Sequence, residues 1–498
     1  MRKSFALFMV LVVFAIGGTC LVNATLLEEK DNVQITETVV YGDKSVVEGV
    51  TIERNIKYNQ FMHWNTTYVV GEEPSCETVY TFDEYGRLQD ETDYNHTGIE
   101  LYTDVVSAFD DANEDAEKLT GVDRAMKELF DKTEPGQESS RIIDLADYLE
   151  FYEYDVFIDL PGDIMYSHIN KEDINEAIGR YTANETYVVQ LKEELRIVEA
   201  IEAFFKIPVI ENHLYEITVA KDADGHLYGW GYGSANGGGS SGNVSMGNTL
   251  TESDAFSLWT ISTYTNDACY FTFNPYTDDG KLVDTSYIPG GFGIYCLPFD
   301  KEKRTVDVEG LRMVYAIDPT ANILNLHYDE QRNQLLLFFE REEECTMTVI
   351  DASTLKMKQE IVYSTTGYDA HDCYIGDDFM VLLYEWCKGV VFSVDETGTY
   401  QMEITLDMAD WMDNEGVPYL EFVEMAFDWD GETLIMSGSI RDEEYHYYQS
   451  CDFYLAAFDR AGMVYYGEYE TNQDTDEMGD YYTYNCRPTD AEPIKISW

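Results

Sequence analysis

The chain has 498 residues and carries 95 acids against 32 bases, a formal charge of −63. A field this negative repels phosphate polymers and anionic headgroups, and no basic stripe offsets it, so nucleic-acid binding is excluded. A hydrophobic content of 45% sets the chain apart from disordered polyelectrolytes and is ordinary for a folded body.

At the N-terminus, Arg2 and Lys3 precede an uncharged apolar run from Phe5 to Val22, and the acids Glu28, Glu29 and Asp31 follow. Positive charge before such a run keeps the N-terminus cytoplasmic and sends the remainder outside. The run is long for a signal core and just long enough to span a bilayer of ~30 Å. Residues 1–24 are therefore expected to be a transmembrane anchor, one apolar helix, or a signal peptide cleaved after Val22-Asn23-Ala24. Cys20 is a poor lipid-attachment site, because Thr19 stands where a smaller residue is required. No other stretch is apolar for long enough to span, so one crossing at most is expected.

Residues 25–210 read as a mixed α+β region. Strands are expected in VQITETVVYG, KSVVEGVTIERNI, TTYVVG and ETVYTFDEYGRL. An acidic helical region from Glu100 to Lys132 follows, closed by Pro135-Gly136. Within it Asp111, Asn113 and Asp115 match the first three ligand positions of an EF-hand loop. Ala116 replaces the turn glycine and Val122 the bidentate glutamate, so the match fails. A strand DVFIDLPG leads to further helix at KEDINEAIGRY and LKEELRIVEAIEAFF, where Leu191, Leu195, Val198, Ile201 and Phe205 fall near one face. The region is either a separate domain or a set of early blades with a helical insertion, bounded between Phe205 and Asn212.

Residues 211–498 carry a repeat. From Ile323 to Tyr363 four strands are expected: Leu324–Tyr328, Leu335–Phe339, Thr346–Ile350 and Met357–Tyr363, with polar turns between them and an exposed fourth strand. The phrase TVIDAST at Thr348 returns as FSVDETG at Phe392 and AAFDRAG at Ala456, placing turn aspartates at Asp351, Asp395 and Asp459. The spacings are 44 and 64 residues, one four-stranded propeller blade and one blade with insertions. Each unit has its own inner hairpin: HYDEQRNQLLLF, CYIGDDFMVLLY and AFDWDGETLIMS. Looser echoes stand at IYCLPFDKEKRTVDV, EITVAKDADGHLYGW and VYTFDEYGRLQDE. The expected fold is mainly β, a β-propeller of four-stranded blades; an all-β sandwich is the other reading.

Few residues point to chemistry. In the glycine-rich stretch Gly229–Asn248, Gly237, Gly239 and Gly242 fit GxGxxG, and Gly238 to Gly242 fit GxSxG around Ser240. Neither is followed by a helical pattern, which both chemistries need, so a flexible hairpin loop is expected. Asp222-Ala223-Asp224-Gly225 and Asp428-Trp429-Asp430-Gly431 read as hairpin turns. Ser353 and Lys356 fit SxxK but fall in a β-turn without partner motifs. Asp369-Ala370-His371-Asp372-Cys373 is the densest polar cluster with a histidine, suited by type to a metal or to acid–base work. No catalytic or metal-binding set can be assigned from these positions.

Eight cysteines follow the apolar segment: Cys76, Cys269, Cys296, Cys345, Cys373, Cys387, Cys451 and Cys486. No CxxC occurs, and free structural thiols are expected. Tyrosine is abundant, with 39 residues; the clusters at Tyr445, Tyr447, Tyr448 and at Tyr481, Tyr482, Tyr484 suit strands or contact surfaces. Asn65, Asn95, Asn184 and Asn243 head glycosylation sequons. The crowded carboxylates lead to an expectation of weak, diffuse Ca²⁺ binding, with no cofactor.

The apolar-Asp-x-x-Gly/Thr hairpins at Asp351, Asp395 and Asp459 resemble blades of quinoprotein-like and YVTN-type β-propellers. The layout is similar to N-terminally anchored or secreted propeller proteins of Gram-positive bacteria. The likeness covers Asp300 to Tyr469. It implies an extracytoplasmic propeller, without a quinone cofactor, because the tryptophan docking signature is missing. Gly225-His226 and Trp429-Asp430 occur once each, so WD40-type partners are not implied. Two functions stand: a membrane-tethered binding or sensing module for an extracellular protein or glycan, and an exported enzyme acting on a glycan or peptide.

Overall fold

The four strands expected between Ile323 and Tyr363 form one antiparallel sheet, Asn322–Asp329, Gln334–Arg341, Glu344–Asp351 and Lys356–Ser364, each paired with the next. The two middle strands are buried nearly end to end, whereas the fourth alternates between exposed and covered positions. The cause is composition: Leu335, Leu336, Leu337 and Phe338 leave water on both faces, at ~1.5–3 kcal/mol per fully buried side chain. Asp351 ties the last turn, its Oδ1 accepting from the Thr354 N–H at 2.7 Å and the Thr354 hydroxyl at 2.9 Å. Those donors hold the Asp351 carboxyl below its usual pKa.

The same device recurs where the repeat requires it. Asp395 accepts from the Thr397 and Thr399 N–H groups at 2.8 and 3.0 Å, and Asp459 from the Ala461 N–H at 2.6 Å. Asp395 closes the third strand of the sheet His371–Ile375, Phe379–Tyr384, Lys388–Val394 and Tyr400–Asp407. Asp459 joins Gln449–Asp459 to Gly462–Thr471.

The computed structural model describes residues 33–59, 62–80, 98–104, 109, 119, 121–160, 165–169, 174, 177–178, 180–182, 184–234, 240–241, 244–245, 254, 256–364, 371–384, 388–407, 425–441, 449–472, 487–488 and 494–498, with single positions at 12, 14 and 16–18. They divide into two compact units, Met1–Asn95 with Tyr368–Trp498, and His96–Gly367. The chain is mainly β. Among the described residues no helix is long and apolar enough to cross a membrane, and most of Phe5–Val22 lies outside them.

In the first unit, distant strands share sheets. Ile35–Gly42 pairs antiparallel with Gly462–Thr471, extending the sheet of Ala426–Trp429, Leu434–Arg441 and Gln449–Asp459. Thr51–Asn59 lies between Met62–Val69 and the C-terminal strand Ile494–Ser497, which pairs with its first half. Ser75–Tyr80 adds beyond Met62–Val69. The cores are aliphatic and tyrosine-rich: Ile52, Leu455, Tyr465 and Tyr469 pack together, as do Val381, Val391, Met436 and Tyr454.

In the second unit, Glu138–Asp144 pairs with Leu214–Lys221, so one sheet draws strands from both sides of residue 210. The expected helix from Glu100 to Lys132 is corrected at its start. Gly98–Asp104 is a strand paired with Glu153–Leu160, because Ile99 and Leu101 are buried while Glu100 and Tyr102 take the opposite face. Among the described residues of that stretch, Gly121–Lys132 is helical, burying Val122, Met126, Leu129 and Phe130 against Ile217 and Val219. The long helix Glu185–Phe204 stands where the periodicity predicts, with Leu191, Val198, Ile201 and Phe205 in the core. Phe205 meets the Tyr295 ring at 4.8 Å, and its carbonyl accepts from the Tyr154 hydroxyl at 2.8 Å.

Candidate functional site

The long helix presents its polar side to a groove of ≈ 840 Å³ within the second unit. The sequence makes both walls. Helical spacing that buries Leu191, Val198 and Ile201 turns Gln190, Glu193 and Arg196 outward. Facing them is the turn after strand Gly293–Asp300, whose Lys303 and Arg304 precede the short strand Thr305–Val306. Asp307 and Glu309, in and beside the single turn Val308–Gly310, complete that wall. Ile197 and Thr305 are the buried members of the lining, and among the described residues no aromatic ring takes part.

Charge alternates along this groove. Arg196 donates to Glu193 at 2.7 Å and stands 3.9 Å from Glu309 on the opposite wall. The Arg196 guanidinium lowers the Glu193 pKa, so that carboxyl is ionised at neutral pH and unsuited to donate a proton. Lys303 pairs with Asp300 at 2.7 Å. Arg304 is held in a left-handed conformation at φ 53° and has no ion-pair partner among the described residues. Glu194 accepts from Ser167 and Gln190 at 3.4 and 3.3 Å. The groove thus offers cations and anions in reach of one ligand, with exposed Val189 and buried Ile197 as its apolar members.

The densest described histidine cluster is elsewhere in this unit and is closed to solvent. The Tyr152 hydroxyl lies 2.8 Å from His213 Nδ1, with His213 only 3% exposed. Around them Asp144 accepts from the Ala146 and Asn212 N–H groups at 3.1 and 2.8 Å, and Lys281 pairs with Asp254. Burial lowers the His213 pKa to about 4 and raises that of Tyr152. A neutral, buried imidazole bonded to the Tyr152 hydroxyl fits a packing and hydrogen-bonding node.

The residues singled out in the sequence are scattered. Ser353 lies in the turn, accepting from Asn333 Nδ2 at 2.7 Å, while Lys356 opens the next strand. Asp222 and Asp430 are turn residues: Asp222 Oδ1 accepts from the Asp224 and His226 N–H groups, and Asp430 Oδ1 from those of Glu432 and Thr433. His371, Asp372 and Cys373 lie on a strand, with Asp372 exposed and Cys373 half-buried. Asp369, Ala370, Asp111, Asn113, Asp115, Gly237, Gly238, Gly239 and Gly242 lie outside the described residues, as do both tyrosine clusters, Asn95 and Asn243. Asn184 is exposed and caps the long helix, accepting from the Tyr187 N–H at 3.3 Å. Cys269 and Cys296 are buried thiols outside any disulfide, and burial pushes Cys269 up to about 12. Among the described residues, no three His, Cys, Asp or Glu side chains are placed to hold a metal.

Sequence reasoning missed the groove, although a signal was there. Lys301-Glu302-Lys303-Arg304 puts three bases in four residues of a chain dominated by acids.

No family model matches this chain, and no curated protein matches it either. Among solved structures it is similar to the β-propeller domain of Cps50 (Swd1) from Myceliophteria thermophila, at 10% identity and a TM-score of 0.26, over 51% of this chain and 69% of that one. It is also similar to a putative 6-phosphogluconolactonase from Bacteroides fragilis, at 8% identity and 0.29, over 91% and 98%. A third is the β-propeller domain of the Trilobed protease from Pyrococcus furiosus, at 13% identity and 0.18, over 42% and 66%. Likeness at this level carries no activity across.

Proposed function

We propose that this chain is an exported, non-catalytic binding module of propeller type that holds a charged polypeptide segment along the helix Glu185–Phe204. The groove carries this reading: Arg196, Lys303 and Arg304 stand among Glu193, Glu194, Asp307 and Glu309, open to solvent and with no aromatic ring among the described lining residues. A glycan would favour aromatic faces and a small apolar ligand a drier pocket, whereas a polypeptide with both charge signs meets partners on both walls. The serial four-stranded antiparallel sheets support the propeller architecture. Arg2 and Lys3 before the run Phe5–Val22 support export and a single N-terminal tether.

Peptides selected from a displayed random library on the purified chain should carry acidic and basic residues together. The double change Lys303→Glu, Arg304→Glu should weaken them about tenfold or more, and salt should weaken the wild-type complex. Selected peptides indifferent to both substitutions would place binding elsewhere. Turnover of a glycan or peptide substrate would return the chain to the enzymes. For the tether, a reporter fused after Ile35 should be active only outside the cytoplasm.

A further inference from the structure

We infer that the second unit carries a separate site for an organic ammonium ion, at the aromatic corner made by Trp259 and Tyr102. Trp259 is 65% exposed, a large apolar area to leave in water on a residue next to buried Leu258 and Phe256. Its ring meets that of Tyr102 at 5.3 Å and 89°, so the two rings form perpendicular walls.

The corner is held rigidly by the backbone beneath it. Thr103 Oγ1 donates to the Phe256 carbonyl at 3.0 Å and accepts from the Leu258 N–H at 3.4 Å. Thr260 Oγ1 donates to the Ile99 carbonyl at 2.7 Å and accepts from the Leu101 N–H at 3.3 Å. Two threonine hydroxyls therefore latch strand Gly98–Asp104 to the segment carrying Trp259, one on each side of it. The latches fix the backbone beneath the indole, so binding need not order that segment.

Charge selects the ligand. The Tyr102 hydroxyl donates to the Glu100 carboxylate on the same strand face, and Asp155 stands across the ladder from Tyr102. Trp and Tyr faces attract cations through their quadrupoles, indole most strongly, and nearby carboxylates add to that field. A compact ammonium with an apolar surface satisfies rings and carboxylate together. A neutral sugar would stack on the rings and donate hydroxyls to the carboxylates, but would draw nothing from their charge.

The test is titration of the full chain with choline, followed by the N-methyl proton resonance, beside its neutral tert-butyl isostere and methyl glucoside. Choline should bind saturably, with a dissociation constant on the order of 1 mM, and its N-methyl line should move upfield under the indole ring current. Trp259→Ala should weaken binding about tenfold without lowering the melting temperature, and Glu100→Gln severalfold. Should Trp259→Ala melt early, Glu100→Gln decides alone, because it keeps both rings and the hydrogen-bond acceptor. Equal binding of the isostere, preference for the glucoside, absence of saturable choline binding, or unchanged binding by Glu100→Gln would each overturn the assignment.

Discussion

Two sheets built on the same four-stranded plan differ in where their strands come from. In the second unit, Asn322–Ser364 pairs only sequence neighbours, each hairpin closed by a short polar turn. In the first unit, the sheet of Ala426–Thr471 is extended by Ile35–Gly42, which pairs with a strand more than 400 residues away in the chain, Ile35 opposite Thr471 and Gly42 opposite Tyr465, with a register shift between Val39 and Tyr41. Local pairing needs only turn chemistry and alternating burial. Remote pairing must also overcome the closure entropy of a long chain, which grows slowly with length and is met by contacts at the seam. Here the seam is polar and aromatic. The Tyr465 hydroxyl donates to Glu37 at 3.0 Å and lies 2.8 Å from that of Tyr469, and Lys44 pairs with Glu37. Phe453 stacks on Tyr469 at 4.9 Å.

The largest expected effect falls on the local sheet. Val349→Pro, between Leu336 and Gln359 in the ladder, should destabilise the chain by ~3 kcal/mol or more in urea melts. A loss confined to a few tenths would mean that this sheet is not a cooperative core. At the seam, Gly42→Ala should cost ~2–3 kcal/mol. Gly42 has φ 79°, and an added Cβ would stand 1.9 Å from the Val464 carbonyl oxygen. If this change is neutral, the remote strand is dispensable and the contrast between the sheets disappears.

The His213 node lends a pH handle. Its folded pKa of about 4 lies below the unfolded value, so the unfolded chain takes up its proton first. Stability from this group is therefore complete above pH ~6.5 and falls as pH drops toward ~4. Between pH ~7.5 and ~5 the wild type should lose ~2 kcal/mol more than His213→Gln in paired urea melts. Parallel curves would place the imidazole in a wetter setting than its burial implies. Tyr465→Phe should cost ~1 kcal/mol, the loss of the hydroxyl to Glu37 and Tyr469 at the seam. Smallest of all, Arg304→Glu should change stability by less than ~0.5 kcal/mol, since the side chain is exposed and has no ion-pair partner among the described residues. Millimolar Ca²⁺ should raise the melting temperature only modestly, with monovalent salt reproducing part of the rise by screening. A single tight site in calorimetry would overturn that diffuse picture.

Several features were legible in the residues alone because their causes are local. Asp351, Asp395 and Asp459 are read as turn residues since a carboxylate two or three positions before free N–H groups can bond them directly. The long helix was legible from the spacing of Leu191, Val198, Ile201 and Phe205, and the exposed fourth strand from Lys356, Lys358 and Gln359. At Glu100 local reading failed. Acidic residues and good helix formers masked an alternation that pairing with Glu153–Leu160 enforces. Pairing of Ile35–Gly42 with Gly462–Thr471, the groove that brings Arg196 opposite Glu309, and the right angle between Tyr102 and Trp259 were decided only in three dimensions. Their physical reason is the same: each depends on the distance between segments remote in the chain, and a propensity or a turn carries no record of that distance.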